Sequence, residues 1–542
     1  MKNAHPAISR RHLLKCATAI AVGAAVAGNT SATDDATPAI QSTSAREKSI
    51  ELNLRGAGSF RLASFPIHAD STRVDTGTVA WEGELHGDAK VTLDRLHGSV
   101  DRLFHKFQLF HASTGKAFGT PKFVEDLHRL PSTPPALAWP KSIKGVSCPV
   151  DVADLTALGV KHTHINLSAS ALVHVEEKNR DDTFSREVDG RRIWFNPGSV
   201  RALDHSIREL TDAGINAVGV VINHVHAPGV LTHPKTDLQR APNKMGAYNL
   251  SSEEGILHFR ALMEFISDRY CRGDQRYGSV GGWIIGNEVQ SHWEWHNMGP
   301  ATLAEVARQY ADELRLAWLA VRNAGANVPV FASFDHFWAM SLSKDTSRHL
   351  PGRALVDALS NLIANEGNFP WNIAQHPYPE NLFQPKFWND RTAIFAHDSP
   401  RITFKNVEVL ADYLTRKEML YDHKPRRLIF SEQGFHAGDT PDSERVQAAA
   451  YALAYRRLSL MAGVDAFILH RHVDAAQEGG LKLGIWPLTG TGAGKPKRPI
   501  WDVLKSADTP QWQTASNFAL PIIGIADWSQ ANPQPGPFPE RL

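Results

Sequence analysis

Gly282-Trp283-Ile284-Ile285-Gly286-Asn287-Glu288 and Arg427-Leu428-Ile429-Phe430-Ser431-Glu432-Gln433-Gly434-Phe435 decide the reading of this chain. Each is a short apolar run without alternation, closing on a glutamate. Runs of this kind read as strands buried on both faces, as in parallel sheets. Six more candidates frame them, at residues 145–148, 164–167, 217–222, 328–332, 371–374 and 466–469. A helix-like segment follows each strand. Leu303, Val306, Tyr310, Leu314, Trp318 and Val321 form one apolar stripe that Gly325 is placed to stop. Ser251 with Glu254 reads as a capping box ahead of the helix from Ile256 to Ile266. Eight strand–helix units predict an α/β fold, a (β/α)8 TIM barrel, over residues 140–508.

Outward from the barrel, the other segments are simpler. Ser9-Arg10-Arg11-His12-Leu13-Leu14-Lys15 followed by an apolar stretch to Ala27 matches a twin-arginine signal peptide, assigned to residues 1–32. It predicts export to the periplasm or beyond. Residues 33–48 read as a linker. Alternation at Ile50, Leu52, Leu54, Phe60 and Leu62, repeated to residue 130, predicts a small antiparallel, sandwich-like β domain over 49–130. Residues 509–542, with a Pro-rich tail at 532–539, form a C-terminal extension outside the barrel.

Lys plus Arg number 58 and Asp plus Glu 57, a balance that argues against nucleic acid or an acidic membrane surface as partner. A neutral ligand fits better. Of three cysteines only Cys148 and Cys271 lie beyond the signal, too few for a disulfide scaffold or a cysteine metal site. No membrane partner is expected after signal cleavage, no cofactor, and no metal.

On the strand count Glu288 ends strand four and Glu432 ends strand seven. The C-terminal ends of barrel strands carry the chemistry in such enzymes, and cleavage of a glycosidic bond needs two carboxyl groups flanking it. Fourteen tryptophans supply apolar faces for sugar rings, and Trp293 and Trp338, with Trp295, Trp388 and Trp486, are the candidates.

Here the chain resembles the clan A glycoside hydrolases, whose acid/base glutamate follows an Asn at the end of strand four and whose nucleophile ends strand seven. The resemblance implies Glu288 as acid/base, Glu432 as nucleophile, and Asn287 on the sugar 2-hydroxyl. It implies His376 and Tyr378 of His376-Pro377-Tyr378, and His224 after strand three, as substrate-binding positions. Gly286-Asn287-Glu288-Val289, His376-Pro377-Tyr378-Pro379-Glu380-Asn381, Phe404-Lys405-Asn406 and Ser431-Glu432-Gln433-Gly434-Phe435 further resemble an uncharacterised family of secreted bacterial proteins, regarded as glycosidase-like. The expected partner is a poly- or oligosaccharide. Where clan A cellulases place a Trp after strand eight, this chain has His470-Arg471-His472-Val473-Asp474, so a β-glucan specificity does not transfer. His470, Arg471 and His472 are instead expected to bind an anionic or heavily hydroxylated sugar.

Two other readings compete. His162-Thr163-His164 and His224-Val225-His226, with His470 and His472, have the spacing of an amidohydrolase-like metal site, although His162 and His164 begin their strand and so point to the stability face. A carbohydrate-binding protein without catalysis is the third.

Overall fold

The computed structural model describes residues 37–134, 137–173, 180–225 and 229–541. The twin-arginine segment and His226 lie outside the described residues.

Alternating apolar residues dictate the first part. Five antiparallel strands, β1 (Ala39–Ala45), β2 (Ser49–Phe65), β3 (Thr78–Asp94), β4 (Lys106–His111) and β5 (Ala117–Phe123), form a single curled sheet. β3 runs along one edge of β2, while β1 and β4 share the other. Ile50, Leu52, Leu54, Phe60 and Leu62 are buried on one face, as the period of two requires. Two differences from the sequence reading appear. The sheet is one layer rather than two face to face, and residues 39–45, expected to be linker, are its first strand because Ile40, Thr43 and Ala45 are buried against it.

Eight parallel strands follow: β6 (Lys144–Val146), β7 (His162–Ser168), β8 (Asn216–Ile222), β9 (Val280–Ile285), β10 (Val330–Phe334), β11 (Trp371–Gln375), β12 (Leu428–Gln433) and β13 (Val464–Leu469). They close into a barrel in chain order, with β13 paired to β6. Side chains fill its interior, among them Val218, Val220, Ile284, Phe331, Ala374, Ile429, Ala466 and Ile468. Trp139, just ahead of β6, packs against this set and donates its indole N–H to the Asp465 carbonyl at 3.0 Å. The lumen below the strand ends is therefore a core, and any ligand must sit above it.

The connecting helices obey their local signals. Leu303–Asn323 opens on a Thr302/Glu305 capping box and ends before Gly325 at φ +77°. Glu253–Tyr270 is capped one residue later than expected, by Ser252, whose hydroxyl accepts from the Gly255 N–H at 3.2 Å. The C-terminal extension is bound to the barrel. Its helix Ala519–Ile523 lies on helix Pro441–Ser459. Gln534, Phe538 and Arg541 donate backbone N–H groups to Glu408, Asp412 and Asp398 at 2.8, 2.9 and 3.1 Å. Sheet and barrel meet through a buried ionic network in which Arg260 pairs with Asp189 at 2.7 Å and Glu264 at 2.9 Å while lying 3.7 Å over the Phe104 ring. Its charges are mutually satisfied, which burial demands.

Candidate active site

At the end of β9 the chain turns on Gly286, at φ +71°, where a Cβ would come 2.9 Å from His296 Nδ1. Two residues later Glu288 itself is left-handed, at φ 41° and ψ 52°. A glutamate adopts this region only when its surroundings hold it there, and such positions concentrate at functional sites. The restraint is visible. The Glu288 N–H donates to Ser333 Oγ at 3.0 Å, and the Tyr310 hydroxyl ties the two strands by donating to the Ile285 carbonyl at 2.7 Å and accepting from the Ser333 N–H at 2.8 Å. Asp335, after β10, braces the next residues by accepting from Ser291 Oγ at 2.6 Å and from Gln290. Burial, then the neighbouring Glu288, push its carboxyl up to about 8. Asp335 thus supports the Glu288 loop through both carboxyl oxygens, accepting from the Phe337 N–H as well at 2.7 Å.

Three side chains converge on the mouth from β9, β11 and β12. His376 Nδ1 lies 2.8 Å from Glu288 Oε1 and its Nε2 lies 3.0 Å from Ser431 Oγ. The Tyr378 hydroxyl donates to Glu432 Oε1 at 3.1 Å. One oxygen of Glu288, one of Glu432 and one nitrogen of His376 all lie within 4.8 Å of one another. The two carboxyls have opposite electrostatics. Burial raises Glu288 above the usual carboxylate range against the pull of His376, and Glu432 raises it further. Burial also opposes ionisation of Glu432, but His470, His376, His164 and the Tyr378 hydroxyl outweigh it and hold the group down at about 2. At neutral pH one carboxylate stands beside one carboxyl that retains its proton more readily, the division of labour that acid/base pairs require.

A second cluster adjoins Glu432. His470, just past β13, has Nδ1 3.0 Å from Ser147 Oγ and 4.0 Å from Cys148 Sγ, and its Nε2 lies 3.0 Å from Glu478 Oε1. Burial pushes His470 down, but Glu432, Cys148 and Glu478 raise it to about 10. Burial pushes the Cys148 thiol up, yet His164 and His470 bring it down to about 5. His164 donates from Nδ1 to the Ser431 carbonyl at 2.7 Å.

His164 is thus at the site and not on the stability face, contrary to its position at the start of the strand. Register explains this. β6 has three residues and Gly145 pairs with His162, so His164 is level with Ser147, already past the end of β6. Leu469 pairs with Val146, which brings His470 to the same level.

Other expected positions lie elsewhere. Trp338 is 1% exposed, with its indole N–H on the His397 carbonyl at 2.8 Å and Tyr413 edge-on, so it presents no face to a sugar. Trp293 is buried under Arg348, 4.0 Å from its ring. His472 is fully buried, donating from Nε2 to Asp154 at 2.9 Å beside the Trp486 and Trp501 indoles on the same carboxylate, and is structural. Arg471 pairs with Glu478, which matches its charge. Asn287 and His224 are half-buried after β9 and β8. His162 is held by the Ser142 carbonyl at 2.9 Å below the site, and burial lowers it to about 4. Of the amidohydrolase-like histidines, His164 and His470 come together beside Cys148, whereas His162 and His472 are bound to other partners. Phe383, 47% exposed with His436 edge-on at 5.2 Å, is an open ring in the loop after β11 that sequence reasoning missed.

Gly434 closes β12 where a Cβ would lie 2.2 Å from the His470 carbonyl oxygen, a backbone atom that cannot swing aside. Gly434→Ala is expected to cost about 1–3 kcal/mol and to lower the thermal midpoint, because the overpacked strands must separate. A variant melting with the parent would contradict this packing.

A family model described as a family of unknown function (DUF5722) matches residues 136–531. No curated protein matches the sequence. Among solved structures the chain is similar to a family 39 glycoside hydrolase from the gut symbiont Bacteroides cellulosilyticus WH2, at 13% identity and TM-score 0.44, over 86% of this chain and 79% of that one. It is similar to a hyperthermophilic beta-glucosidase from Pyrococcus furiosus, at 13% identity and TM-score 0.43, over 69% and 87%. A monomeric beta-xylosidase from Caulobacter crescentus CB15 matches at 13% identity and TM-score 0.41, over 69% of each chain. At these identities the likeness concerns the fold alone.

Proposed function

The chain belongs to the DUF5722 family, and we propose that it is a glycoside hydrolase cleaving O-glycosidic bonds of a poly- or oligosaccharide with retention of configuration. The observation that carries this reading is the facing pair at the barrel mouth, Glu288 raised and Glu432 held at about 2, with oxygens within 4.8 Å. Retaining enzymes place their carboxyl groups roughly 5–5.5 Å apart, whereas inverting ones leave roughly 6.5–9.5 Å for a water.

Each step follows from a named atom. Glu432 attacks the anomeric carbon while Glu288 gives its proton to the departing glycosidic oxygen, so that the carbon–oxygen bond breaks as the glycosyl–Glu432 ester forms. Glu288, now ionised, takes a proton from water, and the resulting oxygen nucleophile displaces Glu432. Asn287 is suited to the sugar 2-hydroxyl. Tyr378 orients Glu432, and His376 orients Glu288.

Tyr378→Phe removes a hydrogen bond to a charged group. It is expected to lower kcat about ten- to a hundredfold with a smaller change in KM, from the ~1.5–3 kcal/mol such bonds contribute. Steady-state kinetics checks it; an unchanged kcat would remove Tyr378 from the reading.

The reading itself is tested by reducing-end release across plant, algal and bacterial glycans, followed by proton NMR of the first product formed. Retained anomeric configuration is expected, and inversion would overturn the mechanism. The twin-arginine pattern at residues 9–15 supports a periplasmic or extracellular place of work, which fractionation of the native host tests.

A further inference from the structure

The two-carboxylate mechanism uses neither Cys148 nor the imidazole edges that face it. Cys148 Sγ, one nitrogen of His164 and one of His470 lie within 4.8 Å of one another, with Sγ to His470 Nδ1 at 4.0 Å. Zinc–sulfur and zinc–nitrogen bonds of roughly 2.3 and 2.0–2.1 Å in a tetrahedron separate such donors by roughly 3.3–3.7 Å. A contraction of a few tenths of an ångström at the measured pair brings it into that range.

The outer partners point the same way. His164 Nδ1 is committed to the Ser431 carbonyl, a pure acceptor, so its other nitrogen carries the lone pair. His470 Nε2 is committed to the Glu478 carboxylate, and Nδ1 faces Ser147 Oγ at 3.0 Å and Cys148 Sγ at 4.0 Å, so a metal there would take the place of the serine hydrogen bond. A backbone carbonyl behind one histidine and a carboxylate behind the other are the supports that orient metal-binding imidazoles and fix their tautomers. His164 is in β7, Cys148 lies two residues past β6 and His470 one past β13, so the rim of the barrel holds all three.

We propose that Cys148, His164 and His470 form a three-ligand site for a borderline-soft divalent cation of the zinc class, adjoining Glu432. One thiolate with two imidazoles selects zinc-like ions over magnesium or calcium, and three protein ligands leave a fourth position for water or a ligand oxygen. Sequence reading named His164 and His470 among the ligands of a competing metal reading but not Cys148, which is 16 positions from the one and 322 from the other, without a spacing motif.

The test uses the full chain, stripped with chelator and titrated with Zn2+ against a chromophoric competitor. It needs no substrate, so its outcome is separate from that of the glycosidase reading. One equivalent is expected to bind, with X-ray absorption reporting one sulfur and two imidazole nitrogens. Cobalt substitution should give a thiolate charge-transfer band. Cys148→Ser should abolish that band and weaken binding by more than about a hundredfold, and Glu478→Gln should weaken it about ten- to a hundredfold by freeing His470. Cys271→Ser, at a thiol buried elsewhere, should retain the equivalent. Failure of the parent to bind one equivalent overturns the proposal. So does an absorption spectrum without sulfur, which would move the ion to Glu288, His376 and Glu432.

Discussion

Glu432→Gln is expected to abolish turnover, by roughly 10⁴-fold or more, while the protein keeps its fold and binds glycan. An amide isostere preserves shape and the Tyr378 hydrogen bond, but it carries no charge and cannot form the glycosyl ester. The environment makes the loss severe: His470, His376 and His164 surround the group and hold it ionised at about 2 against the cost of burial, so the site is built for an anion. The checks are kinetics on the cleaved glycan and mass spectrometry with a 2-fluoro glycoside. The parent should gain one sugar on the peptide containing Glu432, and the variant none. Turnover persisting in the variant, or label on another residue, would sink the assignment.

Glu288→Gln is expected to lower kcat/KM by about 10²–10⁴-fold on natural glycosides, the range a positioned proton donor supplies. Aryl glycosides with acidic leaving groups should suffer far less, because they depart without a proton. The pH profile follows from the two shifts. Activity requires Glu432 ionised, which holds above about 2, and Glu288 protonated, which its raised pKa prolongs beyond the usual carboxylate range. Activity therefore declines as pH climbs through the Glu288 value, and this basic limb should be missing from the glutamine variant. A limb unchanged in the variant would assign the titration to another group, with His376 the first to examine.

Glu288 and Glu432 were legible because one strand places one residue at its end, and an apolar run marks that end without reference to any partner. His376 and Tyr378, which only the resemblance singled out, follow the end of β11 and reach Glu288 and Glu432. Trp338 and His472 were misread as ligand-facing because proximity to a motif says nothing about which way a ring packs. Trp338 goes to His397 and Tyr413, and His472 to Asp154. Cys148 was missed because it carries no local signature, and His164, marked by its His-x-His spacing, was put on the stability face because strand order alone does not give the register with β6.

The sequence by itself determined the eight parallel strands, the antiparallel sheet ahead of them and the two strand-end glutamates, because periodicity, capping and breaker residues act within a few positions of the chain. Tertiary structure alone decided what surrounds those glutamates. The pairing of Gly145 with His162 and of Val146 with Leu469 sets the stagger of the closed barrel. That stagger lifts His164 and His470 to the level of Ser147 beside Glu432, and a register between distant strands is fixed by closure of the whole barrel rather than by any segment of it.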